Sequence, residues 1–118
     1  MATTKPLPLY YGFYQLIKYL YQIINNFPKQ YKYTLGENII DLAWQCLDLV
    51  FEANALPNKN KYSKILVLSA SFDKLKIRLR MIQEINLISQ KQFVHLQISY
   101  IKTIGEMIGG WLSWAKEI

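Results

Sequence analysis

The sequence contains few cysteines, histidines and acidic residues, and it has no long hydrophobic run. Its 118 residues include one cysteine and one histidine. The lone Cys46 cannot form an intrachain disulfide, and the chain opens without the pattern of a secretory leader, so the sequence predicts a reducing, cytoplasmic setting. Apolar runs such as residues 65–68 are far shorter than the ~18 residues of a membrane span. This pattern predicts a soluble protein with no membrane partner.

The residue patterns of the common catalytic and metal sites are also missing. The sequence has no phosphate-binding loop, no dinucleotide fingerprint, no acid-base pair and no Glu-x-x-His pair of a di-iron bundle. We expect His95 to be a solvated side chain on an outer helix face, beside Lys91 and Lys102. Cys46 is expected to be an inert buried thiol, because no base accompanies it. The sequence therefore predicts a protein that is not an enzyme and has no cofactor or metal.

Positive charge is in excess and is concentrated in one segment. Fourteen Lys and Arg against eight Asp and Glu give a net charge of +6, and residues 59–80 hold seven bases and one acid. Residues 34–56 hold four acids and no base. A basic segment suits a polyanionic partner, although a solvated helix with long basic side chains is the alternative. The candidate nucleic-acid or partner-binding residues are Lys59, Lys61, Lys64, Lys74, Lys76, Arg78 and Arg80.

Hydrophobic spacing predicts four helical segments in one domain over residues 1–118. Breaks are expected before Pro28 and near Pro57, because the residue before a proline resists helical geometry. Ser89 is predicted to cap the fourth segment. Four long helices with short connections fold most simply as an all-α, up-down-up-down four-helix bundle. The expected core positions are Phe13, Leu16, Leu20, Ile23 or Ile24 and Phe27; Leu35, Ile39, Leu42, Cys46, Leu49 and Ala53; Ile65, Leu68, Phe72, Leu75, Leu79 and Ile82; and Phe93, Leu96, Tyr100, Ile104, Met107 or Ile108, and Trp111.

A second apolar row on the second segment suggests a subunit interface. It consists of Ile40, Trp44, Leu47 and Phe51, and a broad core face is the alternative interpretation. In the last segment three glycines each cost about 1 kcal/mol relative to alanine in a helix, which indicates close approach of another backbone. Gly105 and Gly109 lie one turn apart and are included in the predicted interface, although they could equally tighten one bundle. The opposite charges of the second and third segments suit a heterologous, ring-closing contact.

Several motifs, read in order, resemble the accessory variability determinant family of diversity-generating retroelements. They are Phe27-Pro28-Lys29, Tyr33-Thr34-Leu35-Gly36, Glu52-Ala53-Asn54, Ser89-x-x-Gln92 and the segment from Ile104 to Leu112 that contains Gly109-Gly110-Trp111. The resemblance implies a four-helix protomer that assembles into a barrel-like homopentamer with a basic surface. It also implies binding to the retroelement reverse transcriptase, template RNA and cDNA, in support of adenine-mutagenic reverse transcription and retrohoming, without catalytic activity of its own.

One departure from the family pattern concerns the third segment. Family members resemble each other in an arginine-rich third helix, whereas no base lies between Lys64 and Lys74 here. A weaker nucleic-acid surface, displaced toward residues 74–80, is therefore expected. The alternatives are a four-helix protein of the ribosomal-RNA intervening-sequence type, which shares the Phe-Pro-Lys opening, and an oligomeric scaffold that binds only protein.

Overall fold

A computed structural model describes residues 7–118, and these residues form four long helices and no strand. Helix α1 is Leu7–Ile24, α2 covers residues 29–55, α3 is Lys61–Glu84 and α4 covers residues 90–116. A short 3₁₀ turn, Asn58–Asn60, leads into α3. Within α2 and α4 one turn each is π-helical, at Lys32–Gly36 and Gln97–Ile101. The predicted all-α class with four helices is confirmed.

Each helix packs against its neighbours in sequence, and α1 also packs against α4. Because the connections are short, consecutive helices run antiparallel, as in an up-down-up-down bundle. The bundle is elongated, with extents of 46 × 23 × 19 Å. Within residues 7–118, no helix has the length and hydropathy needed to cross a bilayer.

The helix ends follow local sequence signals. The extended backbone of Pro28 and Pro57 precedes the turns that open α2 and lead into α3. At the end of α3, Asn86 has a φ of 65°, and the Leu87 amide donates to the Ile82 carbonyl at 2.8 Å, as in a Schellman motif. The predicted cap at Ser89 is confirmed, since Ser89 Oγ accepts from the Gln92 amide in a complete capping box.

The core lies where the helical spacing places it. All six expected positions of α3 and all expected positions of the first segment are buried, including both Ile23 and Ile24. In α2 five of the six expected residues are buried, and Leu35 is half-buried against them. One continuous apolar cluster therefore holds the four helices together.

The π turn of α4 explains where the predicted spacing is wrong in detail. The sequence predicts Tyr100 in the core, but Ile101 is buried in its place and Tyr100 is half-buried. A π turn contains one extra residue, because its hydrogen bonds join residues five apart. After Leu96 the next buried position therefore comes five residues later, and the regular spacing resumes at Ile104 and Ile108.

The second apolar row on α2 is only partly exposed, which corrects the sequence prediction. Ile40 and Leu47 are 8% and 3% exposed and belong to the core, whereas Trp44 and Phe51 are 39% and 54% exposed. Helix α2 packs against both α1 and α3, so its buried face is wider than a narrow bundle seam. The broad core face is therefore the correct interpretation for Ile40 and Leu47.

Candidate nucleic-acid and partner interfaces

Lys61, at the start of α3, is a structural residue and not a free surface charge. Its side chain is 4% exposed, and its ammonium donates to the carbonyls of Ala53, Asn54 and Leu56 at 3.1, 2.7 and 2.5 Å. These carbonyls end α2, where the helix dipole favours a cation. Burial lowers the pKa of the Lys61 ammonium. The expectation that Lys61 contacts phosphate is therefore wrong, because all three of its N–H donors are used inside the protomer.

The remaining bases of α3 lie on two different flanks of the helix. On the flank facing α2, Arg78 Nε donates to Asn38 Oδ1 at 2.6 Å and Arg78 Nη1 donates to the Lys74 carbonyl at 3.1 Å. On the flank facing α4, Lys76 and Arg80 line a groove. The structure therefore does not bring the predicted basic residues together into one surface.

Two of the bases are partly neutralised by neighbouring acids. Lys64 lies 3.4 Å from a Glu52 carboxylate oxygen, and Lys76 lies 3.2 Å from Asp73. Lys76 also lies over the Phe72 ring, 5.3 Å from its centroid. Over residues 7–118, no ion pair forms at Lys59, Lys74 or Arg80, and all three are exposed. These three residues have the charge most available to a partner.

An apolar stripe on α3 faces away from the core, between the two basic flanks. Its five members are exposed, and Ile77 is the most exposed of them at 66%. The sequence did not predict this outer stripe, although the base-free run between Lys64 and Lys74 was a signal of the part that contains Leu66 and Val67. The outer stripe consists of Leu66, Val67, Ile77, Met81 and Ile85.

Aromatic side chains cover the opposite side of the protomer, where α1 packs on α2. The Tyr10 ring lies 5.0 Å from the Phe51 ring and 6.1 Å from the Tyr14 ring. Further along the same pair of helices, Trp44 Nε1 donates to the Tyr21 hydroxyl at 3.1 Å. We refer to Tyr10, Tyr14, Tyr21, Trp44 and Phe51 as the aromatic face. Its acidic neighbours on α2 make it unsuited to a polyanion.

A cavity of about 290 Å³ opens at one end of the aromatic face. The first π turn helps to form it, because Gly36 leaves room there: a Cβ at this position would lie 2.7 Å from Ile24 Cγ2. The cavity is lined by Tyr21, Ile24, Asn25, Lys32, Tyr33, Gly36, Glu37, Ile40 and Asp41. Its wall combines apolar, aromatic and carboxylate groups, and sequence analysis gave no sign of it.

Comparison with known proteins bears on these surfaces. Residues 9–115 match the family model described as bAvd-like. The chain belongs to the bAvd-like family. Proteins of this family are accessory, non-catalytic components of diversity-generating retroelements. No curated protein and no solved structure matches the chain.

The two residues considered for chemistry in this bAvd-like chain have structural surroundings. Cys46 is fully buried, and burial raises the pKa of its thiol to about 12. His95 is exposed as expected, but its ring packs edge-on against Tyr19 at 4.9 Å, and its Nδ1 lies 3.1 Å from Ser99 Oγ. Burial and the nearby Tyr100 raise the pKa of the Tyr19 hydroxyl. Within residues 7–118 no group of three potential metal ligands lies together.

The glycine-rich end of α4 does not have the close contact that its sequence suggests. A Cβ at Gly105 would lie 3.7 Å from Phe72 Cε2, an ordinary contact distance, and Cβ atoms at Gly109 and Gly110 would have no neighbour within 4 Å among residues 7–118. Trp111 next to them is buried, and its Nε1 has no acceptor within the same residues. Within the described part of the bAvd-like protomer, no second backbone approaches Gly109 or Gly110.

Proposed function

We propose that this protein is a non-catalytic accessory protein of a diversity-generating retroelement. It binds the element's reverse transcriptase and its template RNA and cDNA, and it supports mutagenic reverse transcription and retrohoming in the cytoplasm. The observation that carries this proposal is the match of residues 9–115 to the bAvd-like family. The net charge of +6 is consistent with a nucleic-acid partner.

The proposed role of the basic residues is to position the nucleic acid. Lysine and arginine on rigid helices contact phosphates, which gives affinity and register without reading bases. The exposed Lys59 and Lys74 support this role best, since neither has an ion-pair partner among residues 7–118. Arg78 lies one turn from Lys74 on the same α2 flank and contributes its charge from there, although its Nε is bound to Asn38. Lys64 and Lys76 contribute less, since each already has an acidic neighbour. Arg80 lies on the other flank, away from Lys74 and Arg78.

The partner is tested by isolating the tagged protein from its native host, with and without RNase, and identifying bound proteins by mass spectrometry. A reverse transcriptase that stays bound after RNase treatment supports the accessory role through direct protein contact. Recovery of ribosomal proteins without a polymerase supports the ribosomal-RNA intervening-sequence alternative and contradicts the proposal.

The nucleic-acid surface is tested by the salt dependence of RNA binding. Replacing Lys59, Lys74 and Arg78 by alanine should flatten the slope of log affinity against log salt by about 2 units, since each single-stranded phosphate contact contributes about 0.7. The matched control replaces three exposed bases of α4, Lys91, Lys102 and Lys116, and should leave the slope nearly unchanged. Equal effects of the two triple variants would remove the proposed site, and absence of salt-dependent RNA binding would favour the protein-only scaffold.

We further propose that the protein assembles as a homo-oligomer, with five subunits as the family resemblance implies. The protomer exposes two apolar surfaces, the aromatic face and the outer stripe of α3. The first is bordered by acids and the second by bases, so copies are complementary in charge. Gly109 is open to solvent in the protomer and can let a neighbouring helix approach; Gly105 belongs to the same proposed surface. Light scattering at physiological salt tests this part, and a monomeric mass would contradict it.

A further inference from the structure

The cavity beside the aromatic face has the chemistry of a site for a planar cation. Ile24 and Ile40 form apolar lining, Tyr21 and Tyr33 contribute aromatic rings, and Glu37 and Asp41 contribute carboxylates one helical turn apart. Over residues 7–118, neither carboxylate has an ion-pair partner. Aromatic rings and carboxylates together favour a guanidinium, which stacks on a ring while its N–H groups bind a carboxylate.

The charge and the size of the cavity further limit the ligands that can fit it. The formally charged side chains that line the cavity are Lys32, Glu37 and Asp41. The lining therefore carries an excess of one negative charge in a chain of net charge +6. Lys32 is already engaged, because its ammonium donates to Asn25 Oδ1 at 3.0 Å and lies over the Tyr33 ring. A volume of about 290 Å³ is at the lower limit of small-molecule pockets, which begin at about 300 Å³. The cavity therefore suits a single side chain.

The chain has two arginines, and one of them is available. Arg78 is bound within the protomer to Asn38 and to the Lys74 carbonyl. Arg80 is exposed, and no hydrogen bond or ion pair to it is found among residues 7–118. Asp73 and Glu84 line the same groove as Arg80, but neither forms an ion pair with it. Arg80 also adjoins Ile77, the most exposed member of the outer stripe.

The positions of Arg80 and the cavity fit a contact between neighbouring copies. The cavity lies on the α1–α2 side, and Arg80 lines a groove between α3 and α4, so the two sites are on different sides of the protomer and both can be occupied at once. The bond from Arg78 to Asn38 shows that residue 78 is level with residue 38 along the bundle. Arg80 is about 3 Å further along α3, so it is level with the cavity. In a ring whose axis is parallel to the bundle, contacting groups of adjacent subunits lie at the same height.

We propose that the cavity binds the Arg80 side chain of a neighbouring copy of this protein. The guanidinium lies against the tyrosine rings and donates to Asp41 and Glu37, and this head-to-tail contact fixes the register between subunits. The inference rests on the proposed homo-oligomer and adds to it a specific pair of contacting sites. It does not depend on nucleic acid.

Two charge-reversal variants test the contact, Arg80→Glu and Asp41→Lys, measured by sedimentation velocity at physiological salt without nucleic acid. Each alone should lose assembly, with association weakened about thirtyfold or more, the equivalent of about 2 kcal/mol. An equimolar mixture should recover association, because the Arg80 side chain of the Asp41→Lys variant fits the intact cavity of the Arg80→Glu variant, and the exchanged charges at the other junction are also opposite in sign. Far-UV circular dichroism checks that both variants keep their helices.

Matched controls come from the other end of the bundle, where Lys116→Glu and Glu117→Lys make the same charge changes and should assemble like the wild type. If Arg80→Glu and Asp41→Lys also assemble like the wild type, or if their mixture stays monomeric, the arginine contact is wrong. Dissociation by Trp44→Glu with normal assembly of both charge variants would reject this contact while keeping the proposed oligomer. A monomeric wild type would reject both.

Discussion

The most specific stability prediction concerns Lys61→Met. Methionine has nearly the same length and keeps the apolar part of the side chain, but it removes the ammonium that donates to three carbonyls at the end of α2. We expect this substitution to destabilise the protomer, because the carbonyls lose their partners in a site that excludes most water.

The size of the effect follows from two opposing terms. Hydrogen bonds to a charged donor contribute about 1.5–3 kcal/mol each, but the variant also avoids the cost of burying an ammonium, several kcal/mol. The net loss should be about 2–4 kcal/mol in the free energy of unfolding. With an unfolding entropy of about 2.1 cal/mol/K per residue, this corresponds to a Tm lower by about 8–16 °C.

Urea and thermal unfolding followed by circular dichroism measure this loss, at one fixed protein concentration because association raises apparent stability. Lys59→Met is the matched control, since Lys59 is exposed nearby and should change stability by less than about 0.5 kcal/mol. RNA binding of Lys61→Met should keep the wild-type salt slope. A stability within about 0.5 kcal/mol of the wild type, or a flattened slope with unchanged stability, would refute the structural role of Lys61.

Three further predictions concern the core, the glycines and the apolar row of α2. In the folded state the pKa of the Cys46 thiol is raised from about 9 to about 12. The contribution of this thiol to the free energy of unfolding is therefore full below pH 9. It is lost as the pH rises toward 12, because in this range only the unfolded chain releases the proton. Relative to Cys46→Ala, wild-type stability should fall by about 1.4 kcal/mol per pH unit from about pH 10 to about pH 11, measured by urea unfolding; parallel pH profiles would contradict this. Gly36→Ala should destabilise the protomer by about 1–3 kcal/mol, because the added methyl group overlaps with its neighbours. Gly110→Ala should stabilise the protomer by about 0.5–1 kcal/mol, because its methyl group meets open space. Thermal scans that show the same sign of change for both variants would contradict the packing described. Leu47→Ala should lower the free energy of unfolding by about 2–5 kcal/mol. Trp44→Glu should dissociate the oligomer and leave the protomer folded. Loss of helicity in Trp44→Glu would instead place Trp44 in the core.

The helices and most of the core could be predicted from the sequence because apolar spacing in a bundle is a local property. In α3 every predicted core position is buried, since this helix is regular from end to end. The prediction fails where the helix geometry changes. The π turn before Lys102 moves the buried position from Tyr100 to Ile101. No particular residue type in the sequence predicts such a turn.

The candidate sites were harder to predict because they depend on how neighbouring helices pack and where they end. Lys61 looks like any base of a charged segment, and only the fold brings the end of α2 against its ammonium. Ile40 and Leu47 look like a spare row until α1 and α3 both cover α2. The cavity needs residues from α1, from the loop after it and from a π turn of α2. In each case the deciding contact depends on how successive helices turn and pack against one another, which the apolar spacing within one helix does not show.

The two π turns also have a consequence for how the chain can tolerate changes in length. A π turn holds one more residue than an α turn would hold in its place, so deletion of one residue within Lys32–Gly36 or Gln97–Ile101 can convert the turn to an α-helical one. The helix faces before and after the turn keep their orientation in that case. The same deletion elsewhere in a helix rotates every later side chain by about 100° and moves core residues toward solvent. Length variation within the helices of related chains should therefore concentrate at these two turns.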